Sequence, residues 1–153
     1  MPDLDFPDFS FRVLVHDDVL IEMKRFRQMS GTTPESCGLL LGYVYQAAFE
    51  VTNITGPKPS DVRFRFGYER KRAGHLEEAM SFWQRSNGLI GYIGEWHTHP
   101  QLTPSPSALD LRASKKLAQK NKCLGLALIL GNGAGCAYLT NEILQSATKT
   151  FSI

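Results

Sequence analysis

The 153-residue sequence has little cysteine, almost no net charge and no long apolar run. Its three cysteines, Cys37, Cys123 and Cys136, are an odd number without a C-x-x-C spacing. That argues against a disulfide framework and against a four-thiolate zinc site. Cys123 and Cys136 then read as small buried apolar residues. A formal charge of +2 is too small to make nucleic acid or an anionic membrane the main partner. No segment approaches the roughly 20 apolar residues of a membrane span. The opening "MPDLDFPDFS" is acidic and broken by proline, unlike the basic-then-apolar start of a secretory signal. The expected location is therefore cytoplasmic. Internal repeats, low-complexity tracts and long linkers are missing too.

What is present suits one domain over residues 1–153, with 42% hydrophobic and 21% charged residues. "FRVLVHDD" alternates as a strand does, with Phe11, Val13 and Val15 on one face. "DDVLIEMKRFRQMS" follows as a helix, acidic in its first turn and basic near its end. "SCGLLLGYVY" and "AAFEVTNIT" read as strands joined tightly around Gln46. "GPKPSDVRFRFGYERK" is a proline-bearing loop around a short alternating patch, Arg63 to Phe66. A second helix covers "AGHLEEAMSFWQRS" and ends near Asn87-Gly88. The strand "LIGYIGEW" then runs into two histidines. "SALDLRASKKLAQK" is a third helix, with Leu109 and Leu117 among its apolar positions. "CLGLALIL" and "GCAYLT" are strands around the turn "GNGAG", and the tail from Asn141 is the least legible part. Strands with interspersed helices and hairpin-like pairs predict a mixed α+β or α/β arrangement of sheet and helices.

The densest chemistry lies in "GEWHTHPQLTPSPSALD", Gly94 to Asp110. His97 and His99 are two residues apart, so on a continuing strand both imidazoles leave the same face. They make half of a tetrahedral zinc site. Pro100 then ends the ladder. Ser107 stands where a hydroxyl caps the next helix, and Asp110 lies one turn on, nearly on the same helix face. A loop of this length can return that carboxylate over the strand end as a third ligand. Three protein ligands with an open fourth position make a catalytic pattern, not a structural one. The general base has a candidate in "PESCGLLLG", namely Glu35, although spacing alone does not place it near the histidines. Glu95 shares the strand face of His97 and His99 and is a rival ligand, read here as structural or supporting. Cys37 lies close to Glu35 in sequence and reads as buried packing. His16 and His75 read as structural or exposed.

Glu35, His97-Thr98-His99-Pro100 and Ser107-Ala108-Leu109-Asp110 together resemble the JAMM (JAB/MPN+) metalloprotease motif: a distant Glu, then H-x-H-P, six residues and S-x-x-D. Every motif position matches, the "ESCGLLLG" context resembles the prokaryotic branch, and the likeness extends over most of the chain. The resemblance implies a JAB/MPN-like central, mostly antiparallel sheet flanked by helices. It implies Zn2+ on His97, His99 and Asp110, Glu35 as general base, and Ser107 as donor to the oxyanion. The implied reaction is zinc-dependent hydrolysis of an amide or isopeptide bond after the C-terminus of a ubiquitin-like or conjugated protein. In related proteases an insertion clamps the substrate's extended tail by strand addition; the Arg63–Phe66 patch suits such a segment or a plain solvated edge, and the resemblance does not fix which residues of this chain would clamp. More narrowly, the texture resembles JAB proteins of bacterial antiphage (CBASS) operons and integrative elements, which act against E1/E2-like ligase partners. The alternatives are processing of a small sulfur-carrier protein and a metal-free MPN scaffold.

Overall fold

Alternation along the strands decides which side chains enter the core and which are left for chemistry. The computed structural model describes residues 1–143 and 145–153. Its elements are β1 (Asp3–Phe6), β2 (Phe11–Val15), α1 (Asp17–Lys24), β3 (Cys37–Tyr45) and β4 (Ala48–Ile54). They continue through β5 (Val62–Phe64), β6 (Gly67–Glu69), α2 (His75–Arg85), β7 (Gly91–Thr98) and α3 (Ala108–Asn121). The last three are β8 (Gly125–Leu130), β9 (Ala134–Thr140) and β10 (Ser146–Ser152). One eight-stranded sheet has the order β1-β2-β4-β3-β7-β8-β9-β10, and β5 and β6 form a separate hairpin. Neighbours in the large sheet run antiparallel except β2 with β4 and β7 with β8. The fold is thus the mixed α+β arrangement that the sequence pattern predicts, with the mostly antiparallel sheet and flanking helices that the family resemblance implies.

One face of the sheet carries the main core. Val13 and Val15 of β2, Val19 and Met23 of α1, Leu40 of β3 and Trp96 of β7 meet there, with Leu126, Leu128 and Leu130 of β8. Strands β1 and β10, at opposite ends of the strand order, come together, so the sheet curls around this core. Trp96 donates through Nε1 to the Thr55 carbonyl at 3.0 Å. The space for that contact exists because position 38 is glycine: a Cβ there would sit 1.9 Å from Thr55 O and 2.6 Å from Trp96 Nε1. The opposite face holds a smaller cluster, Ala127, Ile129, Cys136 and Tyr138, covered by Leu111 of α3. Every residue of β8 is buried, as expected of a strand covered on both sides.

Two stretches left open take form and three expectations shift, one of them at Cys123, which is exposed rather than buried. The acidic N-terminal stretch forms β1 through alternate burial of Leu4 and Phe6. The tail forms β10, paired with β9 along its whole length. Helix α1 stops at Lys24 rather than Ser30 because the next three N–H groups bond three residues back, a tightened turn that lets Phe26 reach Trp96. The Arg63–Phe66 patch is not one continuous strand: the chain turns at Arg65-Phe66, and Val62–Phe64 pairs with Gly67–Glu69.

The segment leading from β4 to α2 is pinned by a buried chain of polar groups. His75 bonds Thr55 Oγ1 through Nδ1 at 2.6 Å and Asp61 Oδ2 through Nε2 at 2.8 Å. Thr55 Oγ1 also accepts the Leu39 N–H at 2.9 Å. Burial works to raise the Asp61 carboxyl, but hydrogen bonds from the Lys58 N–H, His75 and the Lys71 N–H outweigh it and hold the group below its usual range. A carboxyl depressed in this way adds stability above its unfolded pKa, about 3.9. That contribution disappears as pH falls through the folded value. Asp61→Ala is therefore expected to cost about 3 kcal/mol at pH 7, with the gap from wild type narrowing in melts taken below about pH 3. An equal gap at both pH values would mean that the carboxylate charge is not what was lost.

Candidate metal centre and active site

The site lies where β7 ends and α3 begins, at the crossover between the parallel strands β7 and β8. Strand geometry persists through the histidines. The Thr98 N–H donates to Ser36 O and the His99 N–H to Leu130 O, each at 3.0 Å. His97 and His99 therefore share a face, and their Nε2 atoms are 3.1 Å apart.

Asp110 arrives from α3. Ser107 is the N-cap: its Oγ accepts the Asp110 N–H at 3.1 Å, while its own N–H donates to Asp110 Oδ2 at 2.7 Å. This reciprocal box fixes the carboxylate, whose Oδ1 is 3.3 Å from His97 Nε2 and whose Oδ2 is 3.4 Å from His99 Nε2. An ion bound tetrahedrally at 2.0–2.1 Å spaces its ligand atoms roughly 3.3–3.4 Å apart. Each histidine thus finds a different Asp110 oxygen at about that distance, and among the described residues His97, His99 and Asp110 form a cluster able to hold a metal ion.

Glu35 joins them through the sheet. In the β3–β7 register Cys37 faces His97, so two residues further out Glu35 comes opposite His99. Glu35 Oε1 lies 4.0 Å from His99 Nε2, beyond the spacing of the other three. Its main chain is locked: its N–H donates to Phe64 O at 2.6 Å, and its carbonyl accepts from Arg63 Nε at 2.7 Å. Arg63 also donates to Ser36 Oγ at 2.7 Å. The β5–β6 hairpin therefore holds Glu35 from outside the large sheet. Gln28, buried, adds a second tie by donating to the carbonyls of Thr33 and Arg65.

The electrostatics follow from burial and from the crowding of acids and imidazoles. Burial pushes the Glu35 carboxyl up to about 7, with His99 opposing and Asp110 reinforcing the rise. Burial also lowers His97, against the pull of Asp110, and so favours the neutral imidazole that a metal requires. At His99 burial acts in the same direction, but the Asp110 carboxylate prevails and the net shift is upward. Burial would raise Asp110, yet its hydrogen bonds with both imidazoles hold it far below the usual range. The carboxylate is thus charged at any working pH.

The remaining sequence candidates separate clearly. Glu95 pairs with Arg70 at 2.7 Å instead of joining the cluster. Cys37 is fully buried and burial pushes its thiol up to about 12, as packing requires. His16 pairs with Glu50, and His75 belongs to the Asp61 network. Leu109 is not a core residue: it is 66% exposed, at the rim of the site. A cavity of about 520 Å³ opens over the cluster, walled by Phe66, Tyr68 and Arg70 of the hairpin side and by Ser107, Leu109 and Ala113 at α3. Tyr68 Oη stands 3.5 Å from His97 Nδ1, on the ring edge away from Asp110. Sequence reading missed Gln28, Tyr68 and Arg70, whose only signal was their proximity to the "RFRF" patch or to a helix end.

Known proteins resemble this chain in sequence and in fold. A protein of Escherichia coli named CD-NTase/cGAS isopeptidase is 39% identical over 106 residues, 69% of this chain and 68% of its own. Proteins of the same name from Pseudomonas aeruginosa and Vibrio cholerae are 38% and 33% identical, over 80% and 78% of this chain and 80% and 76% of theirs. The solution structure of a Desulfitobacterium hafniense protein superposes with a TM-score of 0.59 at 18% identity, covering 92% of this chain and 90% of that one; it supports the fold alone. The family model described as prokaryotic homologues of the JAB domain matches residues 18–143. With the H-x-H-P and S-x-x-D positions now on one strand end and one helix start, the chain belongs to the prokaryotic JAB family.

Proposed function

We propose that this protein is a zinc-dependent isopeptidase that releases a protein joined through its C-terminus, acting on conjugates made in a bacterial antiphage system. The observation that carries the reading is the 3.1–3.4 Å spacing among His97, His99 and Asp110 with Glu35 held just outside it. His97, His99 and Asp110 would hold the ion. Zinc there supplies a Lewis acid for the scissile carbonyl and lowers the pKa of water. Glu35 takes the proton of the attacking water and delivers it to the departing amine, and its fixed main chain leaves only the side chain to move. Ser107 Oγ already accepts the Asp110 N–H, so its own proton is free to be donated to the carbonyl oxygen as charge develops there. The names of the three relatives support the isopeptide bond and a nucleotidyltransferase-type partner, CD-NTase, as one half of the conjugate. The exposed hairpin residues Phe64 and Phe66 suit contact with an extended tail entering the cavity. E1/E2-like ligases are the partners that would make such conjugates.

The test compares host lysates treated with zinc-loaded wild type or with Glu35→Gln, read by intact-protein mass spectrometry. A protein-sized adduct lost only with wild type supports deconjugation. Loss of a few C-terminal residues favours carrier processing instead, and no mass change with zinc bound overturns the reading. In the same assay Ser107→Ala is expected to slow cleavage by about 10²-fold. An unchanged rate would leave Ser107 as a helix cap only.

A further inference from the structure

Helix α3 does more than deliver Asp110. Leu109 and Ala113, which wall the metal-site cavity, stand at i and i+4 on its surface. Lys116 and Lys120 follow at i+7 and i+11, and Arg112 lies beside them at i+3, so all five share one helix face. Arg112, Ala113, Lys116 and Lys120 are exposed. Among the described residues none of the three cations makes an ion pair or a side-chain hydrogen bond. Asp110, turned to the histidines, is the only acid on the helix. The cavity wall therefore runs without a break into a stripe of three unpaired cations.

We infer that this stripe is a docking track for an acidic protein surface, the part of the conjugate that lies beyond the scissile bond. The inference rests on the isopeptidase reading for the identity of that partner, though not for the binding itself. A protein whose bond reaches the cluster through the cavity must overhang one of its walls. The wall at the hairpin offers Phe66 and an Arg70 already occupied by Glu95. The α3 wall, Leu109 and Ala113, is continued outside the cavity by the free positive charge of Arg112, Lys116 and Lys120. Unpaired cations beside a concave site raise the local concentration of an acidic partner and orient it, an effect that salt weakens. A protein occupant is favoured over nucleic acid because the chain's formal charge is only +2 and its isoelectric point about 8.5, below the range above about 9 that marks nucleic-acid-binding domains.

The experiment uses the full chain loaded with zinc and a fluorescein-labelled 20-residue peptide in which every second residue is Glu, followed by anisotropy at 50 and 300 mM salt. The triple variant Arg112→Glu, Lys116→Glu, Lys120→Glu is compared with a control of equal charge change placed elsewhere, Arg25→Glu, Arg85→Glu, Lys149→Glu. The stripe variant is expected to lose at least about tenfold in affinity at low salt while the control keeps wild-type binding. Equal loss in both variants, or in neither, overturns the track. Tighter binding of a 20-nucleotide single-stranded DNA, lost in the stripe variant, overturns a protein as its occupant. Zinc content and melting temperature, measured for each variant, show that the fold persists. Failure of the isopeptidase reading is seen separately, as absent cleavage by wild type, and leaves the binding comparison intact.

Discussion

Replacing Glu35 by Gln is expected to leave a folded, zinc-loaded protein whose turnover falls by at least about a hundredfold. The amide has the size and shape of the carboxylate but cannot accept a proton. The hydrogen bonds that fix this position are made by its main chain, to Phe64 O and from Arg63 Nε, so they survive the substitution. The 4.0 Å separation from His99 Nε2 puts Glu35 outside the ligand spacing, and zinc should therefore stay. Steady-state cleavage of a purified conjugate, with zinc measured on the same sample, separates the two effects. Loss of zinc from this variant would contradict the assignment of Glu35 as base, and unchanged turnover would remove it from the mechanism.

Asp110→Ala and His99→Ala are each expected to weaken zinc binding by more than about 100-fold, the upper end of what outer-shell changes alone produce. Two variants are needed because Asp110 also accepts the Ser107 N–H and so closes the cap of α3. Part of its loss is therefore helix stability, about 1 kcal/mol for a cap of this kind. His99 has no part in that cap. Zinc at 100 times its dissociation constant stabilises a protein by about 2.7 kcal/mol, so added zinc should raise the melting temperature of wild type and of neither variant. A zinc-dependent rise in His99→Ala equal to that of wild type would sink the ligand assignment.

What could be read from the sequence is what depends on neighbours. His97, His99, Ser107 and Asp110 fall within one strand end, one proline break and one helix turn, so spacing alone orders them. Glu35 depends on the antiparallel register of β3 with β7, a long-range pairing that no local pattern encodes; only the resemblance to a family pointed there. Arg63, Tyr68, Arg70 and Gln28 meet partners 25 to 70 residues away, and their side chains looked like those of any polar loop. The ends of the chain stayed unread for a related reason. Strand β1 is four residues long, too short for its alternation to stand out, and β10 buries only Phe151 along seven residues, so neither announces itself in the sequence.

The grip of the β5–β6 hairpin on Glu35 bears on how such a protein changes over generations. Arg63 and Phe64 hold the main chain of Glu35, while Phe64 and Phe66 are the hairpin side chains that project outward. A lengthened or transplanted hairpin therefore alters what the outer surface meets and shifts Glu35 in the same step. Residues on the exposed face of α3 carry no such linkage, since Lys116 and Lys120 are exposed and make no ion pair among the described residues. New partners are thus more readily acquired by substitution along α3 than by exchange of the hairpin. Divergence among relatives should accumulate on that helix face first.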